Sequence, residues 1–413
     1  MTAQEIGKRC VFFLGGYEPI PPDRQHERYV RELGRFRQTW QVSTEVSDLT
    51  LSEGGAVGSW RIETRGPDWT VETEYRSLLW GDLVISDFAR SDWERVPCAI
   101  RAFADFILSG TAYRYFSVNW RYGWRYGLFF LYPVFILLAF AAMGLALAWH
   151  ATAYGLPLLL VPVVALAVFA LLNVWPGRFM LLPYMLDDWL FAYELAHRSR
   201  PGLDERLDVF ARDIAGALSK GGVDEIVVAG HSLGCALQAE VLDRALRMAG
   251  ERRAPGVRLA ILSTGSSLLK IALHPAAAWL RESVARLSQN ATLFWVEYQT
   301  LVDIISFYKV DPLKALHLPE TGRPMLLRVY VRDMLAQETY RRFKGNFFRL
   351  HRQLVMGNDK RYPYDYYMIC CGPFSLQTRA EHPERVMVLG PDGALADEDA
   401  DTPSAGLRPT GSG

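Results

Sequence analysis

Three kinds of hydrophobic pattern run along this chain. Short β-branched or apolar runs at residues 11–14, 226–229, 257–262, 293–297 and 326–331 predict buried strands of a parallel sheet. The tyrosine-rich stretch 362–369 reads as one more strand, at an edge. Helical spacing predicts helices over 24–40, 203–218 and 274–287, and a helical pattern also covers 81–112. Around Arg65-Gly66-Pro67-Asp68, alternating residues at 58–64 and 69–74 predict a β-hairpin. Strands that alternate with helices predict an α/β fold, a mostly parallel sheet with helices on both faces.

The third pattern is a long one. No Asp, Glu, Lys or Arg occurs from residue 126 to residue 177. Within it, residues 128–149 and 156–174 are each long and apolar enough to cross a bilayer as a helix. The short link between them predicts a tight transmembrane hairpin, with Gly144 and Ala148 offering close packing. Arg114, Arg121 and Arg125 precede the hairpin, and Arg178, Arg198 and Arg200 follow it, so both flanking parts are expected in the cytoplasm. The interleaved arginines and aromatics of 119–126 fit an interfacial belt. Residues 187–198 read as an amphipathic helix whose Trp189, Phe191 and Tyr193 suit either the interface or a core. The expected organisation is an α/β part split over 1–112 and 201–383, the membrane insertion at 113–200, and a disordered acidic tail at 384–413.

Composition narrows the chemistry. Lys plus Arg and Asp plus Glu both number 45 in 413 residues, and this balance argues against a nucleic-acid partner. The first eight residues hold no apolar run behind a basic start, so no cleaved signal peptide is expected. Five cysteines without metal-ligand spacing point to a reducing compartment, and the adjacent Cys370 and Cys371 to buried packing. No zinc-protease, phosphate-loop or dinucleotide motif is present, so neither a metal nor a cofactor is implied.

The candidate chemistry lies at Gly230-His231-Ser232-Leu233-Gly234, between the run ending at Ala229 and a helical stretch beginning at Cys235. Strand, sharp turn and helix are the context in which G-x-S-x-G lifts a serine out of the top of a sheet. A side chain at Gly230 or Gly234 would collide with the neighbouring strand or helix. The Leu233 N–H, at a helix start, faces the same way and can hold a developing negative charge. His231, next to the serine, is expected to be aimed elsewhere by the turn.

With this motif and with a later Asp and then His, the chain resembles the α/β-hydrolases, in the lipase and esterase branch. The resemblance covers the first strand and roughly residues 203–351. It implies a Ser-His-Asp triad of Ser232, His351 and Asp303, with His317 and His382 as other bases and Asp311 and Asp333 as other acids. It also implies a second oxyanion donor from the early Gly15-Gly16-Tyr17 loop, at Gly16 or Tyr17. Beside the bilayer, the expected substrate is a lipid or acyl ester. A thioesterase, an acyltransferase or an inactive membrane scaffold on the same fold are the alternatives.

Overall fold

Six strands run parallel in the order β5-β1-β6-β7-β8-β9: β1 (Lys8–Leu14), β5 (Thr70–Leu78), β6 (Glu225–His231), β7 (Arg258–Thr264), β8 (Leu293–Gln299) and β9 (Met325–Arg328). The structure is a computed structural model that describes residues 4–124, 127, 144–146, 148–150, 152–153, 182–386, 389–390, 392–395 and 408–409. Antiparallel strands close both ends of the parallel block. β4 (Val57–Arg65) pairs with β5, then β2 (Ser43–Val46) and β3 (Thr50–Leu51) with β4, while β10 (Arg408–Pro409) pairs with β9. The expected α/β class and mostly parallel sheet are present.

Alternate side chains of each strand feed two layers. Val11, Phe13, Val227, Ala229, Leu262 and Tyr298 belong to a core shared with α1 (Pro22–Trp40) and α11 (Tyr366–Cys371). Over the other face α7 (Gly234–Ala249) packs on β6, flanked by α6 (Leu203–Lys220) and α9 (Ala278–Gln289). Leu203, Leu207, Phe210, Ile214 and Leu218, the apolar spacing that predicted α6, are all buried. The Arg9–Glu225 ion pair is sealed inside the fold. Arg9 of β1 bonds Glu225 of β6 at 2.7 Å, and its other nitrogens donate to the Gly372 and Phe374 carbonyls. Glu225 also accepts from Leu376 N–H at the start of α12 (Leu376–Glu381), so the pair ties the C-terminal helices to the sheet centre.

Several expectations need correction. Residues 362–369 are not an edge strand. Asp365 caps a helix there, accepting from the Tyr367 and Met368 N–H groups at 2.9 and 3.1 Å. The resulting α11 is buried along its whole length, which an edge strand would not be. The helical stretch 81–112 is broken into α2 (Gly81–Phe88) and α3 (Asp92–Leu108), and α4 (Thr111–Val118) follows. The break before α3 is set by Ser91 and Glu94, which bond each other as a capping box. Helix α9 starts at Ala278, past Pro275, not at His274.

The chain forms two compact units, Met1–Ser86 with Leu195–Gly413, and Asp87–Glu194. Within the second, α5 (Leu182–Ala196) buries Trp189 and Phe191, and Trp189 meets Phe106 edge-on at 5.3 Å. The core role, not the interface role, therefore holds for those two side chains. Among the described residues no helix is long and apolar enough to cross a membrane. The two apolar runs expected to form the hairpin lie almost entirely outside the described residues. So does most of the tail expected to be disordered, of which Leu389 bridges Leu395 and Arg408–Pro409 form β10.

Candidate active site

Strand β1 has β5 on one side and β6 on the other, and the chain builds outward from it in both directions. In open parallel sheets such a reversal leaves a crevice at the carboxyl ends of the two central strands. Here those ends are Leu14, leading into Gly15-Gly16-Tyr17, and His231, leading into Ser232.

Ser232 sits between β6 and α7 with φ of 56°, a left-handed conformation that costs a non-glycine residue about 1–3 kcal/mol. Its N–H donates to the Thr264 carbonyl at 3.0 Å, and its own carbonyl accepts from Ser267 N–H at 3.1 Å. The flanking glycines permit the turn sterically. A Cβ on Gly230 would lie 2.6 Å from Gln238 Oε1, and one on Gly234 would strike the Leu14 and Gly15 carbonyls. Ser232 as a residue stays partly exposed.

Asp303, just beyond β8, is fully buried and accepts a 2.8 Å hydrogen bond from His351 Nδ1, in α10 (Phe347–Arg352). The other Asp303 oxygen accepts from Ile305 N–H at 2.9 Å. Burial pushes the Asp303 carboxyl up, but the attraction of His351, that hydrogen bond and the Ile305 N–H outweigh it, so the group is held below the usual carboxylate range. A carboxylate only accepts, so Nδ1 is the donor, and in a neutral ring that leaves the lone pair on Nε2. That Nε2 is buried and has no hydrogen-bond partner among the described residues. A buried unpaired polar atom calls for a functional explanation. Nε2 and the Ser232 hydroxyl do not hydrogen-bond each other.

Two neighbours link Ser232 to this pair, and the sequence reading gave neither of them a role at the site. The first is His231. Its ring lies 4.5 Å from the ring of His351, and Nε2 donates to the His351 carbonyl at 3.2 Å. Burial and then the nearby His351 push its pKa down to about 3, so it acts as a neutral prop. It makes no hydrogen bond to Ser232 among the described residues and instead backs His351. The second is Gly265, directly after the Thr264 that holds Ser232. Its φ is +53°, and a Cβ there would lie 2.9 Å from both Asp303 Oδ2 and His351 Cε1. Its only trace in the sequence is a glycine at the end of a strand, in Ser263-Thr264-Gly265-Ser266-Ser267.

The oxyanion candidates are close to the serine. A Cβ on Gly16 would come within 3.0 Å of Ser232 Cβ and 3.5 Å of its Oγ. Among the described residues neither the Gly16 nor the Leu233 N–H donates a hydrogen bond. Tyr17 is buried against Trp80, which donates to the Gly15 carbonyl at 3.2 Å. Glu18 anchors the far end of this loop through Arg28 at 2.7 Å, with Arg352, the neighbour of His351, at 3.9 Å.

The other candidates stand elsewhere. His317 is exposed, and His382 is exposed and pairs with Glu384. Asp311 caps a short helical turn through Leu313 N–H, and Asp333 is exposed beside Arg332. No protein family, characterised protein or solved structure matches this chain.

Proposed function

We propose that this chain is a membrane-attached serine hydrolase of the α/β-hydrolase type that cleaves a lipid-like carboxylic ester. The observation that carries the reading is the Asp303–His351 pair, whose free ring nitrogen is buried and unpartnered beside a strained serine turn. The order along the sheet supports it too: serine after β6, acid after β8, histidine after β9, and an early glycine loop after β1.

In the proposed reaction His351 Nε2 takes the Ser232 proton as Oγ bonds the ester carbonyl carbon. The carbonyl π pair moves onto oxygen, and that oxyanion faces the Leu233 and Gly16 N–H groups, with Tyr17 N–H next in line. Each such donor is commonly worth about 10²–10³ in rate. Asp303 stabilises the imidazolium and keeps its tautomer. The carbon–oxygen bond to the alcohol then breaks, and His351 gives that oxygen its proton. Water repeats the sequence on the acyl-serine and frees the acid. The uncharged run 126–177, with arginines on both flanks, supports attachment to the bilayer with the catalytic part in the cytoplasm, and hence an acyl chain in the substrate.

The test is turnover of p-nitrophenyl esters of graded chain length by the full chain in detergent. Ser232→Ala is expected to remove nearly all of it, by more than about 10³-fold. Equal turnover by wild type and Ser232→Ala would overturn the proposal.

A further inference from the structure

Helix α3 has apolar side chains on two opposite faces, and only one of them is used inside the protein. Ala99, Ala102 and Phe106 are buried on the inner face, where Arg95 bonds Asp187 at 2.9 Å. The outer face carries Trp93, Pro97, Ile100, Ala104, Ile107 and Leu108, at spacings of three and four that make one stripe. Trp93 is 91% exposed, Ile100 62%, Ile107 50% and Leu108 85%. Soluble surfaces seldom leave such a run of large apolar groups open. Arg101, Glu94 and Cys98 lie on one shoulder between the two faces.

We infer that α3 lies in the plane of a lipid bilayer, with this stripe sunk among the headgroups and upper acyl chains. Three features select lipid as the occupant. The exposed apolar surface continues beyond α3 through Tyr113, Trp120 and Trp124, and tryptophan and tyrosine are the residues that favour the membrane interface. Arg121 stacks on Trp120 at 5.5 Å, leaving a cation at headgroup level. The same stretch runs directly into the uncharged sequence 126–177, so α3 enters a bilayer-bound part of the chain with its apolar side outward. An in-plane helix of this kind fixes height and tilt, which two crossing segments alone do not. This inference rests on the membrane attachment proposed above and adds an element to it.

The test uses the single exposed cysteine among five, Cys98, the other four being buried. The full chain is placed in phosphatidylcholine nanodiscs with a nitroxide at Cys98, or at Ile100→Cys in a Cys98→Ser background. At ~100° per residue these two positions are about 160° apart around the helix. The label at position 100 is expected about 5–10 Å below the phosphates, open to oxygen and closed to an aqueous nickel chelate, with the Cys98 label at or above them. Equal access of nickel to both labels would overturn the inference. So would dipolar broadening at position 100 that fades on dilution with unlabelled chain, which would mean a second copy, or shielding from both reagents, which would mean cover by the protein itself. Alkaline extraction separates the two membrane claims. Protein that extracts yet shows the lipid-facing label keeps the in-plane helix and loses the spanning hairpin.

Discussion

Gly265→Ala tests the geometry most sharply, because one methyl group enters the Asp303–His351 contact. The new Cβ would stand 2.9 Å from Asp303 Oδ2, 2.9 Å from His351 Cε1 and 3.1 Å from His351 Nδ1. Comfortable contact between such atoms begins at about 3.5 Å, so each partner must retreat by roughly 0.5 Å. Both are fully packed, and their 2.8 Å hydrogen bond has no slack to give. Misplacing a catalytic group by about 1 Å can cost on the order of 10² in rate, which sets the expected loss. The backbone adds its own penalty, about 1–2 kcal/mol for a left-handed alanine. Gly256→Ala separates the two effects, since Gly256 also has positive φ, of +80°, but nothing within 4 Å of its Cβ position. Ester turnover and thermal unfolding are measured on both variants. Both variants are expected to lose stability through the shared backbone penalty, Gly265→Ala more because the clash adds to it, with turnover falling only in Gly265→Ala. Equal turnover by the two variants would refute the claim that this glycine makes room for the pair.

Asp303→Asn should fold, because the amide oxygen still accepts from Ile305, yet lose on the order of 10⁴ in kcat through the wrong histidine tautomer. Turnover close to wild type would remove Asp303 from the triad. His231 stays neutral when folded down to about pH 3, while the unfolded residue binds a proton below about pH 6.5. Its contribution is therefore intact above pH 6.5 and declines as pH falls toward 3, by about 1.4 kcal/mol per pH unit for each proton the unfolded chain gains. Unfolding midpoints of His231→Leu should fall less steeply with acid than those of wild type; parallel curves would contradict the assignment. Glu297 behaves oppositely, since burial pushes it up to about 7. Its stabilising protonated state is lost as pH rises from the unfolded value toward 7, so Glu297→Gln should raise the unfolding midpoint at pH 8 and change it little at pH 4. An equal rise at both would mean the gain is not electrostatic.

Much of this was legible in the sequence, for reasons that differ by residue. The apolar runs at 11–14 and 226–229 announced the central strands because parallel strands are buried on both faces. The Gly-x-Ser-x-Gly turn was legible because its glycines are required sterically, by the Leu14 carbonyl and by Gln238. Asp303 and His351 were reached through the residue order that the resemblance to α/β-hydrolases implies, and only the folded chain brings the two within 2.8 Å. The α11 helix was misread because tyrosines favour strands, whereas Asp365 and the surrounding core decide locally for a capped helix. Gly265 was invisible as a site residue, and His231 was expected only to point away from the serine. Their roles arise from contacts with His351, far along the chain, which no local pattern encodes. The outward face of α3 was hidden as well. A helix with apolar residues on two faces reads simply as a buried one until exposure separates them.

The central claim is that a histidine aligned by Asp303 makes the Ser232 oxygen nucleophilic. Its most direct test is reaction of the full chain with a fluorophosphonate, followed by mass mapping of the adduct. The account requires one phosphonyl group on the peptide carrying Ser232, with adduct formation collapsing in His351→Ala. Folded protein that takes up no phosphonate, or that carries it on a different residue, would contradict the account.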